Sequence, residues 1–222
     1  MDEKHRIIAR EIAHKHLAAG DALGWFEVLY AQADGDSSII PWANLIPNPN
    51  LVDWLDATHI HGRGHKTLKV GCGLGDDAEE LARRGFDTTA FDISQTAISW
   101  CRRRHPNSSV TYQAADLFDA PPEWQGAFFL VVESYTLQVL PLDLRRKAIR
   151  YIADFLAPDG SLLVIARGRE PIDPEGKMPW PLTRVELTTF SDSGLKEVSF
   201  EDYIDDEDPP VRRFRAVYRR KD

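Results

Sequence analysis

Val70-Gly-Cys-Gly-Leu-Gly-Asp76 stands between a short β run, Thr67–Gly71, and a helical stretch, Asp76–Arg84, that Gly85 closes. Glycines at 71, 73 and 75 allow a tight strand-to-helix turn. They also let a ligand meet the backbone with no β-carbon in the way. The helix that follows offers free N–H groups and a partial positive charge. A glycine loop of this kind suits several nucleotide-like ligands. The spacing narrows them: it is Gly-x-Gly-x-Gly-Asp, so Asp76 takes the place of the third glycine of a dinucleotide loop. A carboxylate there repels a pyrophosphate and suits a ligand that carries an ammonium group.

Downstream, strand and helix patterns alternate. Asp87–Phe91 is a strand, Ser94–Arg104 a helix that ends before Pro106, and Ser109–Gln113 a third strand. Ala127–Glu133 is a near-continuous apolar run, as expected of a strand buried on both faces. Leu142–Leu156 has helical periodicity up to Pro158-Asp-Gly160, and Ser161–Arg167 is a fifth strand. Lys196–Asp202 and Val211–Arg219, joined by Asp205-Asp-Glu-Asp-Pro-Pro210, read as an antiparallel hairpin. The expected fold is α/β: a doubly wound, Rossmann-like, mostly parallel seven-stranded sheet with an antiparallel C-terminal hairpin. Two further acids fall at strand ends. Asp92 lies about 20 residues past the loop, where a carboxylate can accept ribose hydroxyls. Asp116, after the third strand, can accept from an adenine amine. Either acid alone could be a strand-end cap; with the loop they converge on the carboxyl edge of the sheet.

Before the loop the chain is helical and aromatic. Ile7, Ile8, Ile12 and Leu17 recur at helical spacing, and a second stretch from about Asp21 to Ala33 carries Trp25, Phe26, Leu29 and Tyr30. Three prolines between Ile40 and Asn50 exclude a continuous helix, and Leu51–Thr58 can form a short one. Residues 1–222 thus read as one domain, with 1–65 a helical lid and 66–222 the ligand-binding core. The 27 Lys+Arg against 35 Asp+Glu give a net charge of −8, which disfavours a nucleic-acid partner. No apolar run suits a membrane span, the mixed-charge opening Met1-Asp-Glu-Lys-His-Arg6 does not resemble a leader, and Cys72 and Cys101 make no disulfide framework. A cytoplasmic setting is the expectation; monomer and homodimer stand equal.

Val70-Gly-Cys-Gly-Leu-Gly-Asp76, Phe91-Asp92-Ile-Ser94 and Ala115-Asp116-Leu117 together resemble the first three cofactor motifs of class I S-adenosylmethionine (SAM)-dependent methyltransferases. The resemblance runs from about Thr67 to Arg219. It implies that Gly71, Cys72, Gly73, Gly75 and Asp76 surround the methionine part of SAM, Asp92 the ribose, and Asp116 with Leu117 the adenine, on which Ile93 packs. Trp25-Phe-Glu-Val-Leu-Tyr30, Ile40-Pro-Trp42 and Pro49-Asn-Leu51 resemble the entry segment of the thiopurine and small-thiol subgroup, with Ala43 in place of the usual Asp. That likeness implies a lid whose Trp25 and Trp42 pack on the sulfonium; simple core aromatics are the alternative. The implied activity is methyl transfer to a small-molecule acceptor, a thiol or other soft nucleophile, with O- or N-methylation of a small metabolite as the rival. An NAD(P)-dependent oxidoreductase and a SAM-binding protein without turnover remain alternatives.

Glu133-Ser-Tyr-Thr136 follows the fourth strand, where this fold presents reacting groups. Glu133 could face the SAM methyl or a substrate proton, or merely cap the next turn; Tyr135 could steer a nucleophile. Arg102-Arg-Arg104 suits a helix C-terminus, and Arg212, Arg213 and Arg215 suit hairpin salt bridges or an anion site. His59, His61 and His65 read as a connector, since no further ligands stand at metal spacing.

Overall fold

The central strands order themselves by burial. In the computed structural model, which describes residues 3–221, β4 (Phe128–Ser134) is buried along nearly its whole length and sits mid-sheet. Met1 and Asp2, at the mixed-charge start, and Asp222 lie outside the described residues. β4 is flanked by β1 (Lys66–Val70) and β5 (Leu156–Arg169), both parallel to it. Beyond β1 come β2 (Asp87–Asp92) and β3 (Thr111–Ala114), also parallel. On the other side β8 (Arg212–Arg220) runs antiparallel to β5, and β7 (Leu195–Ile204) closes the edge against β8. The order is β3-β2-β1-β4-β5-β8-β7, and a two-residue β6 (Leu182–Thr183) hangs on the end of β5. The seven-stranded expectation thus gains one short strand.

Helices cover both faces. Alternate residues of β4 part company: Val131 joins a core with α6 (Leu142–Asp154) and α7 (Arg184–Asp192), while Leu130 and Val132 join one with α3 (Pro49–Thr58) and α4 (Asp76–Arg83). This is the period-2 alternation of a strand with two dry faces. α5 (Gln95–Arg104) shares the α4 side, packing Ile98 and Cys101 on Ala90 and Tyr112. Caps set several boundaries: Ser94 accepts from Ala97 N–H at the start of α5, and Asn48 precedes Pro49 at the start of α3.

The boundary that differs most from expectation is the start of β5. The helix assigned to Leu142–Leu156 ends at Asp154, because Leu156 already pairs with Phe128 as β5 begins. The register then shifts before Leu130 meets Ser161, so Pro158-Asp-Gly160 is an irregularity within the strand rather than a loop before it. α7 was not foreseen, although Thr183 and Glu186 form a reciprocal capping box. α1 (Glu3–Ala18) and α2 (Gly24–Ala33) pack together over the start of α5, with Trp25, Leu29 and Ala33 against Leu74, Ala97 and Trp100. Glu27 ties them down: its carboxylate accepts from Ser94 Oγ (2.7 Å), Thr96 N–H (3.1 Å) and Thr96 Oγ1 (2.5 Å). No helix among the described residues is long and apolar enough to cross a membrane.

Candidate functional site

A cavity of about 300 Å³ opens at the carboxyl ends of β1, β2, β4 and β5. That is where strand ends and helix N-termini leave polar backbone free in an open parallel sheet. The glycine loop forms its floor. Gly71, Gly73 and Gly75 all take positive φ, +56°, +55° and +92°. Gly71 is also sterically required, since a β-carbon there would lie 2.3 Å from Thr136 Oγ1. Gly71→Ala is therefore expected to cost about 1–2 kcal/mol from the backbone alone, plus the displacement of Thr136. Gly126, at φ +64° with no atom within 4 Å of an added β-carbon, is the control. Denaturant unfolding of both alanine variants should show Gly71→Ala the less stable.

The acids divide by role. Asp92 is nearly buried and lines the cavity, with Oδ2 accepting from Gly73 N–H (2.9 Å) and Oδ1 from Ser94 N–H (3.0 Å). Burial, partly countered by these bonds, raises its carboxyl above the ordinary range. Asp116 lines the wall beside Ile93 and Leu117, and its side chain accepts from Phe118 N–H (2.8 Å). Cys72 also lines the cavity and carries a free thiol. Asp76 borders the cavity but is held from behind by Arg104, whose Nη2 reaches Oδ1 at 2.8 Å. Its charge is therefore largely answered within the protein. Its neighbour Asp77 also lines the cavity and accepts from Asn48 N–H (2.7 Å) and Ser134 Oγ (2.9 Å). Asp77 Oδ2 also stands 3.7 Å from Nζ of Lys69, a buried lysine whose ammonium donates to Val70 O at 2.8 Å.

Three expected site residues lie elsewhere. Trp25 is fully buried and does not reach the cavity; it stacks on Phe26 (centroids 3.9 Å apart), and Phe26 is the wall. On α2, Trp25, Leu29 and Ala33 share the core face, which turns Phe26 and Tyr30 toward the cavity. Trp42 does reach the cavity, fixed by its indole N–H donating to Tyr30 Oη (2.8 Å). Gly75 lies behind the wall as the N-cap of α4, close under Tyr112. Glu133 is fully buried beneath the floor. Its Oε1 accepts from Thr136 N–H (2.8 Å) and Leu137 N–H (3.0 Å), so it caps the turn after β4 and touches no cavity surface. Burial, against these bonds and Lys69, raises its carboxyl to about 7.

Tyr135 lies in the wall at φ +67°, unusual for a bulky residue. Its hydroxyl meets Asn50 Nδ2 (3.2 Å) and Asn48 Oδ1 (3.4 Å), and Arg213 lies over its ring at 4.7 Å. Arg213 is itself buried and pairs with Asp205 (2.5 Å) and Glu207. Across the hairpin Arg212 pairs with Asp202 and Arg215 with Glu201, while Arg212 also pairs with Glu170 just after β5. The far end of the cavity is closed by Met178 and Pro179, with Met178 O held by Arg10 Nε (2.7 Å). His65 stacks on Phe129, and no metal-binding group of side chains occurs among the described residues.

Residues 67–160 match a family model described as a methyltransferase domain. A 2-heptyl-1-hydroxyquinolin-4(1H)-one methyltransferase of Mycobacteroides abscessus is 25% identical over 150 residues, 66% of this chain and 64% of that protein. A ubiquinone biosynthesis O-methyltransferase of Xanthomonas campestris is 32% identical over 126 residues, 56% of this chain and 52% of that one. The chain thus spans between about half and two thirds of these relatives' length. Among solved structures, a 1,6-didemethyltoxoflavin-N1-methyltransferase of Burkholderia thailandensis, with 1,6-didemethyltoxoflavin and S-adenosylhomocysteine (SAH) bound, superposes with a TM-score of 0.67. The match covers 95% of this chain and 91% of that one at 16% identity, a likeness of fold.

Proposed function

We propose that the chain is a SAM-dependent methyltransferase acting on a small-molecule acceptor inside this cavity. The observation that carries the reading is the acid-walled glycine loop: Asp77, Asp92 and Asp116 line one end of the cavity, and Asp76 stands beside them. Such a field favours a ligand bearing ammonium and sulfonium charges over a pyrophosphate. The methyltransferase-domain match over 67–160 covers the same loop and acids. In this reading Gly71, Cys72 and Gly73 backbone, with Asp77, hold the amino-acid part. Asp92 takes the ribose hydroxyls, Asp116 the adenine amine, and Ile93 and Leu117 pack on the ring. SAM, when bound, supplies a methyl group activated by its sulfonium. Phe26, Tyr30 and Trp42 give that end an aromatic wall, which favours a cation and excludes water. Tyr135 orients the acceptor, and the enzyme's contribution is mainly alignment for in-line displacement.

The names of the relatives support oxygen or nitrogen acceptors more than a thiol. The thiol subgroup also loses part of its support with Trp25 in the core. Calorimetry with SAM, SAH and NADH tests the cofactor: SAM and SAH should bind, NADH should not. SAH release should then be measured against a panel of phenols, N-hydroxy heterocycles, amines and thiols. Tight SAM binding with no turnover on any class would favour a regulatory SAM-binding protein instead.

A further inference from the structure

The end of the cavity away from the glycine loop holds a cation that the cofactor reading leaves unused. Arg167, near the carboxyl end of β5, faces the cavity with its backbone N–H donated to Gln138 Oε1 (2.9 Å). Its guanidinium makes no hydrogen bond among the described residues, and Nε is buried without a partner. The two fully buried arginines, Arg145 and Arg213, are treated differently. Arg145 pairs with Glu186 and donates to Leu137 O (3.0 Å), and Arg213 pairs with Asp205 and Glu207. Glu207 is close enough to attract Arg167, yet its carboxylate is engaged by Arg213. Burial first, then repulsion from Arg213, pushes the Arg167 guanidinium below its ordinary value. A guanidinium whose Nε is buried without a partner is costly, and a structural role would normally supply one.

We infer that Arg167 is the docking group for an anionic acceptor: a flat, largely apolar molecule whose delocalised oxyanion, a carboxylate or an ionised ring oxygen, pairs with the guanidinium. The rest of the space fits such a body. Val139, Met178 and Pro179 also line the cavity, and Val139 and Met178 share an apolar cluster with Phe26 and Trp42. The planar fork of arginine matches an oxyanion in two-point geometry, which a lysine would not reproduce. This inference rests on the proposed methyltransferase reading and names its acceptor class.

The test uses the full chain saturated with SAH, titrated calorimetrically with two matched pairs: 2-naphthoate with 2-naphthamide, and quinoline-4-carboxylate with its amide. At least one carboxylate should bind about tenfold or more tightly than its amide, the scale of a charged hydrogen bond. Arg167→Met should abolish that advantage and Arg167→Lys retain part of it, with SAH affinity the same in all three proteins. Since the removed charge has no partner, the melting temperature of Arg167→Met should equal or exceed that of the parent. Equal affinities within both pairs, no carboxylate binding at millimolar concentration, an advantage that survives Arg167→Met, or a fall in that variant's melting temperature would each overturn the inference. If SAH binds normally and discrimination is absent, the acceptor class alone is wrong. Failure of the parent protein to bind SAH removes the cofactor reading as well.

Discussion

Glu133→Gln is expected to stabilise the folded protein at pH 8 and to leave its stability nearly unchanged at pH 4. The carboxyl is fully buried, and burial raises it from 4.5 to about 7 despite bonds from Leu137 and Thr136 N–H and the charge of Lys69. Oε2 has no hydrogen-bond partner among the described residues, so a proton there is not displaced by a competing donor. In the unfolded chain the group ionises near 4.5. Between that value and about 7 the folded state holds a proton that the unfolded state has released, so stability falls as pH rises through this window. Above it the loss is complete; below 4.5 it vanishes. At about 1.4 kcal/mol per pH unit, the window amounts to about 3 kcal/mol. Glutamine keeps an oxygen for the Thr136 and Leu137 amides and carries no charge. Urea unfolding of both proteins at several pH values should show the variant's advantage growing across the window by that amount. An advantage independent of pH would mean that Glu133 does not hold its proton in the folded state.

Asp92→Ala should weaken SAM binding by about 3 kcal/mol, roughly a hundredfold, if its carboxylate accepts the ribose hydroxyls. The side chain also anchors the glycine loop through Gly73 N–H and the start of α5 through Ser94 N–H. Asp92→Asn separates the two duties. Its one acceptor oxygen can keep Gly73 or Ser94 in place but not both, and it carries no charge for the ligand. Asparagine should therefore lose affinity with a smaller change in melting temperature than alanine. Unchanged SAM affinity in both variants would remove Asp92 from the ribose.

The alternation from Thr67 to Arg167 was legible because strands end where the chain must turn, at Gly71 after β1 and at Asp92 just before the Ser94 cap of α5. β4 announced itself as an uninterrupted apolar run, and the hairpin by its acidic, proline-containing loop. What stayed illegible depends on where a side chain turns rather than on what it is. Asp76 and Asp77 are adjacent acids at a helix start, and only the fold shows that Arg104 pairs with the first and Asn48 and Ser134 bond the second. Trp25 and Phe26 differ by one residue on α2, about 100° of rotation, which is enough to exchange core and wall. Glu133 lies where a reacting group was expected, yet its strand position points it beneath the floor. Lys69 and Arg167 gave no pattern at all. Each is a cation near the carboxyl end of a strand, and only the fold shows that Lys69 lies buried beside Asp77 and that Arg167 lines the cavity.

The two ends of the cavity draw mainly on different parts of the chain, although Tyr135 and Val139 of the central stretch also reach the acceptor end in the proposed reading. Asp77, Asp92, Ile93, Asp116 and Leu117 all fall within the matched stretch 67–160. Phe26 and Trp42 precede it, while Arg167, Met178 and Arg213 follow it. Selection on the acceptor can thus act largely outside the stretch proposed to hold the amino-acid, ribose and adenine parts of the cofactor. Divergence should concentrate there, so that two proteins alike across 67–160 can differ in the molecule they modify. Grafting the flanking segments from one such protein to another, with the central stretch untouched, is the exchange most suited to moving acceptor preference between them.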